Sequence, residues 1–164
     1  MCRVKNNYKY TIAMVNLNME TTIQQSILSI YNQLDENFEI LVVDGGSVDK
    51  SIEKVKNLQF FLKNLRLIEL KRDKKRLLGD DRNISISESN GEYVLLHLDC
   101  DDIYAPFIKS WVKIYHILEK VYGDDNLIMG QHINMAKRKV GIALPNNKRI
   151  LLIRSAVLLW CLAL

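Results

Sequence analysis

Residues 38–51 read FEILVVDGGSVDKS. Phe38–Val43 is a short, almost unbroken apolar run rich in β-branched residues, the pattern of a strand covered on both faces. It stops at Asp44-Gly45-Gly46-Ser47, a turn signal. Asp49 then stands near the start of a helix, with Ile52, Val55, Leu58 and Leu62 at helical spacing. Strand, turn and helix thus follow within one short stretch, and the same grammar repeats on either side. Upstream, Tyr10–Leu17 (YTIAMVNL) is a strand. The helix after it is capped by Thr21 or Thr22 and carries Ile23, Ile27, Ile30, Tyr31 and Leu34 on one stripe. Downstream come a strand at Leu65–Leu70, a basic loop at Lys71–Leu78, a helix over Gly79–Ser89 and a strand at Tyr93–Leu98 (YVLLHL). Pro106 opens a helix bearing Ile108, Trp111, Val112, Tyr115, Leu118 and Val121. Leu127–Met135 and Val140–Leu144 read as two more strands. The alternation predicts an α/β fold, a mostly parallel sheet flanked by helices, as one domain over residues 8–164. In such a sheet ligands sit off the carboxyl ends of the strands.

Composition fits this and narrows the function. Of 164 residues, 48% are apolar and 26% charged, which excludes a disordered or fibrous chain. The net charge of +4 is far from that of a dedicated nucleic-acid binder. The charge is uneven: all 19 acids lie at or before Asp125, and Lys137, Arg138, Lys139, Lys148, Arg149 and Arg154 follow it. Such a basic stretch suits phosphates or an anionic membrane surface, or is simply a solvated face. Three scattered cysteines, Cys2, Cys100 and Cys161, give no zinc spacing and fit a reducing cytoplasm. The apolar run Ile150–Leu164 contains Arg154 and is shorter than a membrane span. It reads as a buried element or a membrane-contacting segment.

Two acidic clusters end predicted strands: Asp44, and Asp99 with Asp101 and Asp102. Crowded carboxylates need a proton or a cation. Hard oxygen donors suit Mg²⁺ or Mn²⁺, which can bridge to phosphates. Read alone, such turns are equally caps or solvated loops. Arg82 and the run Lys71, Arg72, Lys74, Lys75, Arg76 lie between the clusters and could neutralise a diphosphate, although the run alone reads more readily as a surface loop. His97 and Tyr115, with Trp111, read as core.

Together, YTIAMVNLN, FEILVVDGGSVDKS and GDDRNISISESNGEYVLLHLDCDDIYAP resemble the amino-terminal half of a family 2 glycosyltransferase of the GT-A, Rossmann-like fold. The resemblance covers roughly Tyr10–Pro106. It implies transfer of a sugar from a nucleotide-diphosphate donor to an acceptor (glycan, lipid or protein), with inversion and with a divalent metal. Carried over by position, Val15, Asn16, Leu17, Asn18, Asp44, Gly45, Arg82 and Asp99 fall at the donor site. Asp99 and Asp101 match the DxD metal motif. The family's usual Pro-Thr-Tyr-Asn is Val15-Asn16-Leu17-Asn18 here, and the second acid of its acidic pair, which often faces the nucleobase, is Gly45. The resemblance places an acidic general base in a later acceptor-binding part, whereas no acid follows Asp125. The expectation is therefore a donor-binding part without the acceptor part, with a non-catalytic nucleotide-sugar binder or degenerate fragment as the alternative. A cytoplasmic chain, touching a membrane at most peripherally, is the matching location.

Overall fold

The computed structural model describes residues 8–96, 100–104, 106–122 and 149–152. In chain order they form β1 (Tyr10–Asn16), α1 (Ile23–Tyr31), β2 (Phe38–Asp44), α2 (Ser51–Gln59), β3 (Leu65–Glu69), α3 (Leu78–Ser87), β4 (Tyr93–Leu96), α4 (Ile108–Tyr122) and β5 (Arg149–Leu152). The five strands make one sheet in the order β3-β2-β1-β4-β5, with every neighbouring pair parallel. The chain moves outward from β1 to β3, then returns to β1's other side as β4. That reversal makes the β1/β4 boundary the switch point, where parallel sheets open a crevice at their carboxyl ends.

The period-two alternation of the strands sorts the helices. Ile12, Met14, Ile40, Val42 and Leu95 face one side, where they pack with Ile23, Ile27 and Ile30 of α1, Val55 of α2 and Ile108, Val112 and Tyr115 of α4. Ala13 and Val94 face the other side and meet Ile86 of α3. Each fully buried Ile or Leu stabilises the fold by about 1.5–3 kcal/mol, so the first face carries most of the core. The second face holds a polar network instead. Glu39, almost wholly buried, accepts hydrogen bonds from Thr11 Oγ1 (2.8 Å), Asn90 N (2.7 Å) and Asn90 Nδ2 (2.9 Å), and pairs with Arg66 at 3.3 Å. This ties the α3–β4 turn to the amino-terminal end of the sheet. Gly91 in that turn is obligatory, since a Cβ there would meet Thr11 N and the Tyr10 carbonyl carbon at 2.6 Å.

Several expectations are corrected. Thr22 holds the N-cap position of α1 but forms no capping bond, and its hydroxyl is buried without a partner among the described residues. Its φ of −117° and ψ of −30° lie near the helical region, not in the extended conformation that aims a capping oxygen at the first turn. Leu34 lies beyond the end of α1. Trp111 and Val121 are not core: they are 44% and 65% exposed, because α4 meets the sheet through Ile108, Val112 and Tyr115. His97, the strands expected at Leu127–Met135 and Val140–Leu144, and residues 153–164 lie outside the described residues. Among the described residues, no helix is long and apolar enough to cross a membrane.

Candidate functional site

The carboxyl ends of β1 and β2 are laced together by side chains the sequence had marked, in roles that local pattern does not reveal. Asn16, last in β1, donates from Nδ2 to Asp44 Oδ2 at 2.6 Å and to Ser47 Oγ at 3.2 Å. Asp44, fully buried, also accepts from Gly46 N (2.9 Å) and Ser47 N (2.7 Å) on Oδ1, and from the Ser47 hydroxyl (2.6 Å) on Oδ2. A carboxylate has about four acceptor positions, and all of Asp44's are taken, three by the turn and one by Asn16 of β1. It therefore shapes the site by fixing residues 45–47 and has no oxygen left for a cation.

Asn18 and Ser47 extend the lacing. Asn18 N donates to Ser47 Oγ at 2.8 Å, and Val48 N donates to Asn18 Oδ1 at 2.9 Å. Asn18 adopts φ +54°, a left-handed conformation that asparagine tolerates. One step further out, Glu20 N donates to Asp49 Oδ2 (3.0 Å) while Lys50 N donates to Glu20 Oε2 (2.9 Å). Ser47 was legible as part of the turn after β2 and Asp49 as the start of α2, whereas Glu20 carried no signal as a rim residue. Burial opposes the charge on Asp49, but hydrogen bonds from the Ser51 hydroxyl and amide and the Glu20 amide outweigh it and hold the carboxyl below its usual range.

The third wall comes from the β3–α3 connection. Gly46 has φ +94°, and a Cβ there would lie 2.6 Å from Arg72 N, so the basic loop's backbone lies directly on the turn. Arg76 clamps it: Nη1 donates to the Lys71 carbonyl and Nη2 to the Gly45 carbonyl, each at 2.9 Å, and Nε donates to Asp81 Oδ1. Lys71, Arg72, Lys74 and Lys75 remain exposed on this rim. Arg76, read with them as a diphosphate neutraliser, is instead an internal brace. Arg82 is half-buried on α3, next to Asp81.

The fourth wall is the turn after β4. Cys100 Sγ donates to the Val15 carbonyl at 3.0 Å, which sets the turn against the end of β1. Ser29 of α1 and Gln33, just past that helix, hold the segment leading into α4. Ser29 Oγ accepts from Tyr104 N (3.0 Å) and Gln33 Oε1 accepts from Ile108 N (3.1 Å). Asp101 is exposed and Asp102 half-buried. Burial, reinforced by the Asp102 carboxylate, pushes the Tyr104 hydroxyl far above the usual tyrosine range. Asp99 lies outside the described residues. Among those described, no three His, Cys, Asp or Glu side chains cluster as a metal-holding group. The two acidic segments thus share one rim with β1 between them, but Asp44 is turned inward.

The rim can hold an extended polar ligand: backbone and amide groups sit at β1, exposed cations on one flank and carboxylates on the other. The sequence profile described as Glycosyl transferase family 2 matches residues 11–126. An uncharacterized glycosyltransferase of Haemophilus influenzae is 34% identical over 125 residues, covering 74% of this chain and 36% of the relative. The crystal structure of S. aureus TarS 1–349 superposes with a TM-score of 0.60 at 24% identity, covering 68% of this chain and 33% of that one; its complex with UDP-GlcNAc gives 0.59. A mannosyltransferase from Pyrobaculum calidifontis, in complex with GDP-Man and Mn²⁺, gives 0.52 at 22% identity, covering 60% of this chain and 29% of that one. The chain therefore spans about a third of the length of these proteins.

Proposed function

Since the chain belongs to glycosyl transferase family 2, we propose that it binds a nucleotide-diphosphate sugar at the β1/β4 switch point and serves sugar transfer to an acceptor hydroxyl, with inversion. The observation that carries this is the convergence of Asn16, the Asp44–Ser47 turn, the Arg76 clamp and the Cys100–Asp102 turn on one carboxyl rim. Val15, Asn16, Leu17, Asn18 and Gly45 line the nucleotide end, with Asp44 bracing the turn beneath them. Arg82 and the exposed loop cations supply positive charge toward the diphosphate.

The donor set after β4 is chemically suited to a hard cation, with Asp101 exposed and Asp99 two residues before it in sequence. Asp99 and Asp101 would hold Mg²⁺ or Mn²⁺, which when bound supplies charge stabilisation to the leaving diphosphate. The acceptor is a glycan, lipid or protein hydroxyl, and the setting is cytoplasmic with at most peripheral membrane contact through the basic carboxyl-terminal stretch. A non-catalytic nucleotide-sugar-binding role, resting on the same donor site, is the second reading.

The test is calorimetric titration of the chain with UDP-GlcNAc and GDP-mannose, with Mn²⁺ and with chelator, alongside an assay for released nucleoside diphosphate. Metal-dependent binding that is lost in Asp101→Ala supports the donor site. Turnover then selects the enzyme, and binding without turnover selects the binder. No binding of either donor under any metal condition overturns the proposal.

A further inference from the structure

Gly45 is where three segments face one another. A Cβ placed on it would stand 2.9 Å from Asp81 Oδ2, 3.6 Å from the Asn16 carbonyl oxygen and 3.7 Å from Leu17 Cδ1. Position 45 has no side chain, and the carboxylate of Asp81, reaching in from the first turn of α3, takes up the space beside it. Asp81 is only 7% exposed. Its Oδ1 is fixed by Arg76 Nε, and Arg76 is itself anchored on two backbone carbonyls. Oδ2 accepts no hydrogen bond among the described residues. It is not among the fully buried unpartnered atoms, so it keeps some access to solvent, and Arg76 holds it in place at the carboxyl rim. The neighbouring end of β1 carries a buried acceptor without a partner among the described residues, Asn16 Oδ1.

The parts of a nucleotide-diphosphate sugar differ in what they offer such an oxygen. The diphosphate carries acceptors and negative charge, so Asp81 repels it. The imino N–H of uracil or guanine is a donor on a flat ring, and Leu17 supplies an apolar wall at the same point for a ring face. Cytosine and adenine present a ring-nitrogen acceptor where uracil and guanine present that N–H. A carboxylate, which only accepts, attracts the first pair there and repels the second. We propose that Asp81 reads the donor's base, its Oδ2, seated where a side chain at position 45 would otherwise reach, accepting the imino N–H of uracil or guanine. This rests on the donor-binding reading above.

The test compares the affinities of UDP, GDP, CDP and ADP for the full chain, wild type against Asp81→Asn, with Mn²⁺ present. Wild type should favour UDP or GDP over both CDP and ADP by roughly tenfold or more, and Asp81→Asn should narrow that ratio by roughly tenfold, as expected for a lost charge-assisted hydrogen bond. Gly45→Ala, whose methyl group displaces the carboxylate, should move the ratio the same way and serves if Asp81→Asn does not fold. Asp80→Asn, on the exposed side of the same turn, should leave the ratio unchanged. An equal loss for all four nucleotides would assign Asp81 to the ribose or to structure alone and overturn the proposal. So would a wild type that does not discriminate, or a variant with an unaltered ratio; in both cases the donor-binding reading still stands. Failure of wild type to bind any of the four removes that reading as well.

Discussion

Asp44→Ala separates a turn brace from a ligand-binding carboxylate. The side chain accepts four hydrogen bonds, two from backbone amides and two from side chains, at 2.6–2.9 Å. Hydrogen bonds to a charged group contribute about 1.5–3 kcal/mol each. Their simple sum would rival the whole stability of a domain, about 5–15 kcal/mol, so they cannot be additive. Truncation leaves the amides of Gly46 and Ser47 and the amide of Asn16 to find water at a half-open rim. The expected loss is about 3–5 kcal/mol. Asp44→Asn keeps the oxygen that faces the two amides and reverses only the other side. There the Asn16 amide can rotate to present Oδ1, which has no partner among the described residues, so the loss falls to about 1–2 kcal/mol. Equilibrium urea unfolding reads both as midpoint shifts at constant slope. If Asp44→Ala stays within about 0.5 kcal/mol of wild type, the range of an ordinary surface substitution, the brace is refuted. If stability holds while nucleotide binding disappears, the carboxylate is a ligand group after all.

Glu39→Ala should cost about 3–5 kcal/mol by stranding Arg66 and Asn90, while Glu39→Leu with Arg66→Leu should cost less than either single change, read from a double-mutant cycle in urea. Gly46→Ala forces a side chain into φ +94° and onto the Arg72 backbone, so it should lose about 2 kcal/mol or more. Gly79→Ala, in α3 with nothing within 4 Å of its Cβ, should gain up to about 1 kcal/mol, and thermal melts of the two should move in opposite directions. Asp49 is lowered in the folded state, so its contribution is present above its unfolded value and is lost as pH falls through the lower folded one. Asp49→Ala should therefore flatten the acid limb of the stability–pH curve; an unchanged limb would show that the carboxylate does not couple folding to protons.

The strand–turn–helix grammar of residues 38–51 was enough to identify the parallel α/β class, because burial on both faces writes a continuous apolar run and a helix writes its own period. Both signals are local. The motif order likewise led to the family, and the rim location of Asn16, Asp44 and the Cys100–Asp102 turn followed from strand ends. What each side chain does there was not legible. Asp44 looked like a cation ligand because an acid after a strand is the same letter whether it faces outward or folds back on its turn; only the positions of Asn16, Gly46 and Ser47 decide between them. Arg76 stood in a run of identical charges, and nothing in the run separates the one that clamps Gly45 and Asp81 from those left in water. Trp111 shared its helical stripe with core residues, yet α4 turned it outward. Sequence alone determined β1 to β4 and α1 to α4, their class and the lineage, through patterns a few residues long. Tertiary structure alone decided that Gly45 opens a gap and that Asp81, 36 positions away in the chain, fills it, because such a contact depends on how two segments cross at the sheet's edge.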